Sequence, residues 1–323
     1  MKAAVYERYG PPEVVELRDV PKPVPGDGEV LIRIRATTVS SGDHRVRSLD
    51  VPAGFGFVSR LMFGPFGPRQ RILGSELAGD VEAVGSAVRA FRPGDAVLAF
   101  PDARMGCHAE YRCLPADGPV VPKPARLGYE EAATLPFGGT AALHFLRRAR
   151  VARGERVLVN GASGAVGTAC VQLARHMGAE VTGVCSTANL ELVRSLGAAQ
   201  VVDYTREDFT RSGQRYDVII DTAGTAPFSR SRGSLAAGGR LLLVLASLPD
   251  MLRAPWDSLR SGRKVMAGVA LGSRDDLQQL ARLAEEGVLR PVVDGTYPLE
   301  QIVEAHRRVD TGHKRGSVVV TVG

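Results

Sequence analysis

Two hydrophobic periods divide this chain. In the first third, short runs alternate apolar and charged residues, most clearly in Glu29-Val30-Leu31-Ile32-Arg33-Ile34-Arg35, the period-two pattern of a half-buried strand. Lys2-Ala3-Ala4-Val5-Tyr6 reads as a further strand, and Pro93-Gly94-Asp95 is a turn feeding one that ends at Phe100. Short strands punctuated by glycine and proline predict a small barrel-like β unit. From about Leu127 the pattern changes. A helix is expected near Tyr129-Glu130-Glu131, with a pause at Pro136-Phe137-Gly138-Gly139 and a second helix through Ala141–Leu146. Strands are expected at 156–159, 181–184, 200–202, 217–220, 240–245 and 264–270, separated by helical spacing such as Leu190–Leu196. Alternation of this kind predicts an α/β fold with a doubly wound parallel sheet covered on both faces. A helix near 274–286, another near 299–308 and a strand at 317–321 read as a return to the first unit. The expected division is 1–125, 126–272 and 273–323.

Val157-Leu158-Val159-Asn160-Gly161-Ala162-Ser163-Gly164-Ala165-Val166-Gly167 carries the most chemistry. It reads as buried strand, glycine turn and helix start, the helix placing Val166, Ala169, Cys170, Leu173 and Met177 on one face and stopping at Gly178. Such a junction aims free amides and a helix N-terminus at one point, which suits a dinucleotide diphosphate. Gly161 would allow the turn, Gly164 the approach of the diphosphate, and Gly167 close packing of helix on strand. Gly161, Ser163, Gly164, Ala165 and Val166 are therefore candidate cofactor contacts. The next strand ends at Cys185-Ser186-Thr187-Ala188-Asn189, where an NAD site normally carries an acid for the ribose hydroxyls. Its absence, with Ser186, Thr187 and Asn189 as small donors, points to NADPH over NADH.

Bulk properties exclude other classes. The chain has 323 residues, 44% of them hydrophobic, which suits two globular units. The run Leu241–Ala246 is far too short to cross a bilayer, and no signal peptide is read after Met1, so a cytoplasmic protein without a membrane partner is expected. Cys107, Cys113, Cys170 and Cys185 form no CxxC pair, so neither a disulfide framework nor a zinc knuckle is indicated. The net charge is +6, but lysine supplies only five of 41 basic residues and the arginines are interleaved with acids. Nucleic-acid binding is not expected. Residues 51–69 mix Phe55, Phe57, Phe63 and Phe66 with glycine and proline. They read equally well as a loop pinned to the surface or as a mobile wall over an apolar substrate.

Several stretches together resemble the medium-chain dehydrogenase/reductase superfamily, specifically the zinc-independent quinone oxidoreductase group that includes zeta-crystallin. They are Met1–Val5, Gly74-Ser75-Glu76-Leu77-Ala78-Gly79-Asp80-Val81-Glu82-Ala83-Val84-Gly85, Phe91–Asp95, Ala132-Ala133-Thr134-Leu135-Pro136, the glycine turn and Leu196–Tyr204. The resemblance implies a GroES-like catalytic domain beside a Rossmann domain. Zinc-dependent relatives have cysteine at the position of Ser40 and histidine at that of Ser75, so no metal is expected. Without a Lewis acid for an alkoxide, the expected reaction is hydride transfer to a quinone or to a carbon–carbon double bond conjugated to a carbonyl.

By the same resemblance Tyr204 reaches the 2′-phosphate, and Thr140, Ala223, Leu245, Ala246 and Val269 line the nicotinamide and its ribose. Relatives carry Asn-x-x-Asp-x-x-x-Arg where this chain has Ser40, Asp43 and Arg47. Asp43 and Arg47 read as a structural ion pair, with a site role for Asp43 as the minority reading, and Ser40 and His44 as candidate donors to substrate oxygen. Relatives often carry an arginine at the position of Ala188, which puts a tight NADPH preference in question; Arg206 reads first as a solvated loop charge and second as a substitute for that cation, Asp221 as capping or turn chemistry, and Cys107 and His108 as strand residues. The rival readings are an enoyl-thioester reductase and an NADPH-binding sensor without turnover. The 264–270 strand, as a free sheet edge, predicts a homodimer.

Overall fold

The computed structural model describes residues 1–270 and 272–323. In chain order the first region contains β1 (Lys2–Tyr6), β2 (Val15–Asp19), β3 (Glu29–Val39), α1 (Ser41–Ser48), α2 (Gly56–Phe63), β4 (Leu77–Val84), β5 (Ala96–Ala99), β6 (Tyr111–Pro115) and β7 (Val120–Pro122). The middle region contains α3 (Tyr129–Ala133), α4 (Leu135–Ala149), β8 (Arg156–Asn160), α5 (Ala165–His176), β9 (Glu180–Cys185), α6 (Leu190–Ser195), β10 (Gln200–Asp203), β11 (Tyr216–Asp221), α7 (Phe228–Ser231), β12 (Leu235–Leu243), α8 (Leu248–Ser261) and β13 (Lys264–Ala267). The tail adds α9 (Arg274–Glu285), β14 (Val293–Pro298), α10 (Ile302–Asp310) and β15 (Ser317–Thr321).

β8 to β13 form one parallel sheet in the order β10-β9-β8-β11-β12-β13. The order reverses between β8 and β11, which opens a crevice at their C-terminal ends where ligands of such sheets bind. A second sheet runs β14-β15-β3-β4-β5-β7, with β6 also on β3. β15 pairs antiparallel with β3, Val318 opposite Val39, so the end of the chain completes the first region. The α9 helix does something different: Leu277, Leu280 and Leu283 join the core built around α4 and α5. The expected α/β architecture with a parallel Rossmann-like sheet and a GroES-like β unit is what the chain adopts.

Three local expectations need correction. The helix expected to pause at Pro136–Gly139 runs straight through; the break is at Thr134, and α4 starts at Leu135. Pro136 sits in the first turn, where its missing N–H costs nothing. The two glycines serve contact, since a methyl on Gly138 would lie 2.4 Å from the Ala165 carbonyl oxygen and one on Gly139 2.7 Å from Leu280. The 51–69 segment, read as loop, contains α2, whose apolar side chains are turned outwards: Phe57 is 82% and Met62 59% exposed. Cys107 and His108 belong to no strand; they are buried in a turn whose amides donate to Gly74 and Leu73.

Candidate active site

The glycine turn sits between β8 and α5, and its three glycines are needed for different reasons. Gly161 has φ +81°, a left-handed conformation that side chains resist. A methyl on Gly167 would meet the Gly161 carbonyl oxygen at 2.0 Å, so helix and turn touch backbone to backbone. Gly164 differs: its φ is −80°, and the nearest atom to an added methyl is 3.6 Å away. Among the described residues a side chain at Gly164 would therefore clash with nothing. The Ser163 and Val166 amides donate to no group among the described residues, and the first turn of α5 adds its own unpaired donors. This is a cradle for an anion that approaches the backbone closely.

The other cofactor candidates distribute around this cradle. Asn189 donates to Ser163 Oγ at 3.3 Å and to Ser186 Oγ at 3.0 Å, so these three residues converge beside the turn. Asn189 Oδ1 is buried without a partner. Thr187 donates to Asp203, and Tyr204, 56% exposed, lies at the rim with its amide on the Cys185 carbonyl. Asp203 is an acid that reading along one strand did not find, because it comes from the neighbouring β10. Its carboxyl is held below the usual range, chiefly by the Thr187 hydroxyl and further by Thr205. Arg206 pairs with it at 3.6 Å and is not free to replace a missing cation. Thr140 is buried, its hydroxyl donating to Pro136 O at 2.7 Å. Ala223 follows Asp221, whose carboxylate accepts from the amides of Ala223, Gly224 and Ala226 and from Asn160, which is turn chemistry. Leu245 packs beside Gly224, Ala246 against the core under β12, and Val269 is 78% exposed beyond β13.

The catalytic candidates occupy the start of α1, and most of their polar atoms are engaged. Ser40 caps the helix: its Oγ accepts from the Gly42 and Asp43 amides and donates to Asp43 Oδ2 at 2.6 Å. Asp43 is wholly buried and also accepts from the Ser40 and Gly74 amides, both at 2.8 Å. The ion pair expected between Asp43 and Arg47 is not formed. Arg47, also wholly buried, reaches Asp310 of α10 at 2.5 and 2.7 Å and donates to Gly10 O at 2.7 Å, while the Asp43 carboxylate is taken up by Ser40 and the Gly74 amide. His44 Nδ1 lies 2.7 Å from the same Asp310, so the histidine faces α10.

Sequence reading missed two charged groups drawn out of solvent, Glu76 and Lys314. Glu76 is 1% exposed, accepts from Thr38 Oγ and from the Phe137 amide at 2.6 Å, and burial pushes its carboxyl up to about 8. Lys314 forms no ion pair with Glu76 among the described residues, and burial brings its ammonium down to about 8. Lys314 donates to Gly316 O at 2.5 Å, while the Gly316 amide donates to Ser163 O at 2.7 Å. The tail thus ties the cradle to the β unit. Nothing in the local sequence around Lys314 signals this, since the contact spans some 150 residues of chain.

At the positions where zinc-dependent relatives have ligands stand two hydroxyls, Ser40 Oγ occupied by the cap and Ser75 Oγ buried without a partner. His108 donates to Thr38 O at 2.9 Å, and burial pushes the Cys107 thiol far up. This donor set does not fit zinc, which takes thiolate, imidazole or carboxylate.

Comparison with known proteins agrees with this geometry. Residues 26–125 match the alcohol dehydrogenase GroES-like domain, and residues 196–320 the family described as zinc-binding dehydrogenase. A quinone oxidoreductase of Sus scrofa is 35% identical over 98% of this chain and 95% of its own length; that of Homo sapiens is 33% identical over 97% and 94%. The structure of a quinone oxidoreductase from Coxiella burnetii superposes with a TM-score of 0.89 at 30% identity, covering 100% of this chain and 99% of that one. A cobalt- and zinc-bound thermostable alcohol dehydrogenase from Pyrobaculum aerophilum superposes at 0.83 with 29% identity, covering 99% of each chain, so metal-bound proteins share the fold. The chain is an oxidoreductase that belongs to the medium-chain dehydrogenase/reductase superfamily, in its quinone oxidoreductase-like group.

Proposed function

We propose that the protein is a zinc-independent, NADPH-dependent reductase of quinones or of enones. The observation that carries the cofactor half is Gly164: of the three turn glycines it alone could take a side chain without a clash within the described residues, so steric crowding by the protein does not account for a glycine there. Gly161, Ser163, Gly164, Ala165 and Val166 would hold the diphosphate, and Ser186, Thr187, Asn189 and Tyr204 the ribose phosphate. Thr140, Ala223, Leu245, Ala246 and Val269 would lie along the nicotinamide half. The bound nicotinamide supplies the hydride. Asp203 tempers the preference for NADPH, since its charge lies beside Thr187; Arg206 neutralises part of it.

The protein's part in the chemistry is positioning. Ser40 and Asp43 fix the start of α1, and His44 anchors it to α10. None of the three needs to move a proton when the acceptor is a quinone, whose reduced oxygens take protons from water. Holding donor and acceptor in contact then supplies most of the rate. The enoyl-thioester and sensor readings give way to this one only on turnover. Oxidation of NADPH with 1,4-naphthoquinone and with neutral enones, in the presence of a chelator, is the test. Turnover unaffected by chelation is expected; failure to bind either pyridine nucleotide overturns the proposal. No helix among the described residues is long and apolar enough to cross a membrane, and we place the enzyme in the cytoplasm. β13 ends the six-stranded sheet with one unpaired side, and Trp256 and Leu259 of α8 are exposed next to it, so a homodimer is proposed. A monomer mass by light scattering would refute the dimer.

A further inference from the structure

A cleft of about 490 Å³ lies between the last turn of α5, the end of α6 and residues 287–290, which lead out of α9. Its volume is that of a small-molecule site. The glycine cradle is at the other end of α5, about 16 Å away at 1.5 Å per residue, so the cleft is separate from it. Three basic side chains line it, Arg175, His176 and Arg290, and no carboxylate does.

Two of the three are held in place. The stem of Arg175 lies across the turn after α6, where a methyl on Gly197 would overlap its Cδ. Arg290 is clasped by buried Gln172: its amide donates to Gln172 Oε1 at 2.8 Å, and Gln172 Nε2 donates to its carbonyl at 3.0 Å. The Arg290 guanidinium donates to the Ser195 carbonyl, while that of Arg175 bonds to nothing among the described residues, and neither meets a carboxylate there.

Helix ends account for only part of this charge. Arg175 and His176 occupy the last turn of α5, and Ser195 ends α6. A helix C-terminus carries about half a negative charge, so the two ends together offset one guanidinium. The other lacks a counter-charge among the lining residues. Fixing an arginine in advance costs side-chain freedom that no protein anion returns here. A fork so held loses less on meeting phosphate or carboxylate oxygens. The cleft also sits where the chain changes units: Gln172 and Arg175 belong to α5, and the segment through Arg290 leads to β14 of the other sheet.

We propose that this cleft is a second ligand site, for a small polyanion carrying at least two phosphate or carboxylate groups. The excess of positive charge calls for more than one negative group, and the volume has room for them. The site lies apart from the reacting atoms and does not depend on the reductase reading. Its occupant ties α5 to the segment that leads into β14.

Calorimetric titration of the protein saturated with NADP+, which takes the cradle out of play, tests this with sodium pyrophosphate and with citrate, and with orthophosphate as the single-group control. One further site is expected. At least one of the two polyanions should bind with a Kd below about 1 mM and about tenfold or more tightly than orthophosphate, an affinity that falls with added salt; which of them binds tells phosphate from carboxylate. Hydrogen exchange should slow at residues 287–290 on binding. Arg175→Gln and Arg290→Gln should each weaken the polyanion about tenfold and leave the affinity for NADP+ unchanged. No further site, binding equal to that of orthophosphate, or an affinity that survives both substitutions overturns the proposal. Arg175 is exposed and bonds to nothing, so Arg175→Gln decides even where Arg290→Gln does not fold. Should NADP+ not bind, the same titrations on the free protein, with exchange compared at 287–290 and 161–167, still separate this cleft from the cradle.

Discussion

The glycine cradle and the start of α1 are built on opposite plans. The cradle is made of backbone: unpaired amides, a left-handed glycine, a helix pressed onto its own turn and a Gly164 that no neighbour crowds. Its side chains merely edge it. The α1 wall is made of side chains, and nearly all are engaged in holding the wall in place: Ser40 with Asp43, Asp43 with Gly74, Arg47 and His44 with Asp310. A site made of backbone tolerates change in its side chains and fails when a glycine is replaced. A site made of engaged side chains loses stability before it loses chemistry. The two walls can therefore be told apart by whether a substitution moves folding or binding.

The largest effect is expected inside the cradle, where two glycines separate these outcomes. Gly167→Val should cost about 3 kcal/mol or more, because a side chain there overlaps the Gly161 carbonyl. Gly164→Ala meets no protein atom closer than 3.6 Å, so its melting temperature should stay within about 2 °C. Its affinity for NADPH should nonetheless fall about tenfold, roughly 1.4 kcal/mol. Thermal melts alongside fluorescence titration check both. A Gly164→Ala protein with unchanged affinity would remove the reason for placing a diphosphate there.

The contrast also explains what could be read in advance. The cradle was legible because its glycines are contiguous, and because strand, turn and helix follow one another along the chain. β8 and α5 lie within one or two residues of their expected bounds. The α1 wall was not legible. Arg47 looked like a partner of Asp43, four residues away, but its partner Asp310 lies on a helix from the far end of the sequence. The partners of Glu76 and Lys314 were equally hidden, since Glu76 meets Thr38 and the Phe137 amide, and the Gly316 amide beside Lys314 donates to Ser163 O. The α4 glycines misled for a related reason: locally they read as a break, but their purpose is contact with Ala165 and Leu280. Local chemistry was recoverable from sequence; chemistry assembled by long-range pairing was not.

On the α1 side the strongest expected effect is on folding. Asp310→Ala would leave the wholly buried Arg47 without its counter-charge, a change that costs about 3–5 kcal/mol. Urea denaturation should show the loss, while the affinity for NADPH in the folded fraction stays unchanged. A fall in cofactor affinity without loss of stability would mean that α10 serves the cofactor directly.

Glu76 and Lys314 add a pH dependence. Glu76 titrates near 8 when folded, against 4.5 for an unperturbed group. Between these values the unfolded chain releases a proton that the folded one keeps, so stability falls as pH rises, by up to about 1.4 kcal/mol per unit. Lys314 is lowered from 10.5 to about 8, so between those values the unfolded chain binds more protons and stability recovers with rising pH. Without cofactor, stability should pass through a minimum near pH 8. Glu76→Gln removes the falling limb and should raise stability at pH 7 by about 1–3 kcal/mol. Denaturation midpoints at pH 5, 6.5, 8 and 9.5 decide it, and an unaltered falling limb in Glu76→Gln would assign the effect to other groups.

The smallest effect separates positioning from proton transfer at Ser40. As the cap of α1 it accepts from two amides, and replacing such a cap by alanine costs about 1 kcal/mol. If holding the wall is its whole task, Ser40→Ala should lose that stability and raise the KM for the acceptor a few-fold at most, with kcat nearly intact. A proton donor would behave differently: kcat would fall by about a hundredfold or more, and a limb of its pH profile would vanish. Ser40→Thr and Ser40→Asn sharpen the distinction. Both can cap a helix, but the asparagine amide has no proton to transfer. Full rescue by Ser40→Thr alone would point to the hydroxyl, whereas rescue by both would point to the cap.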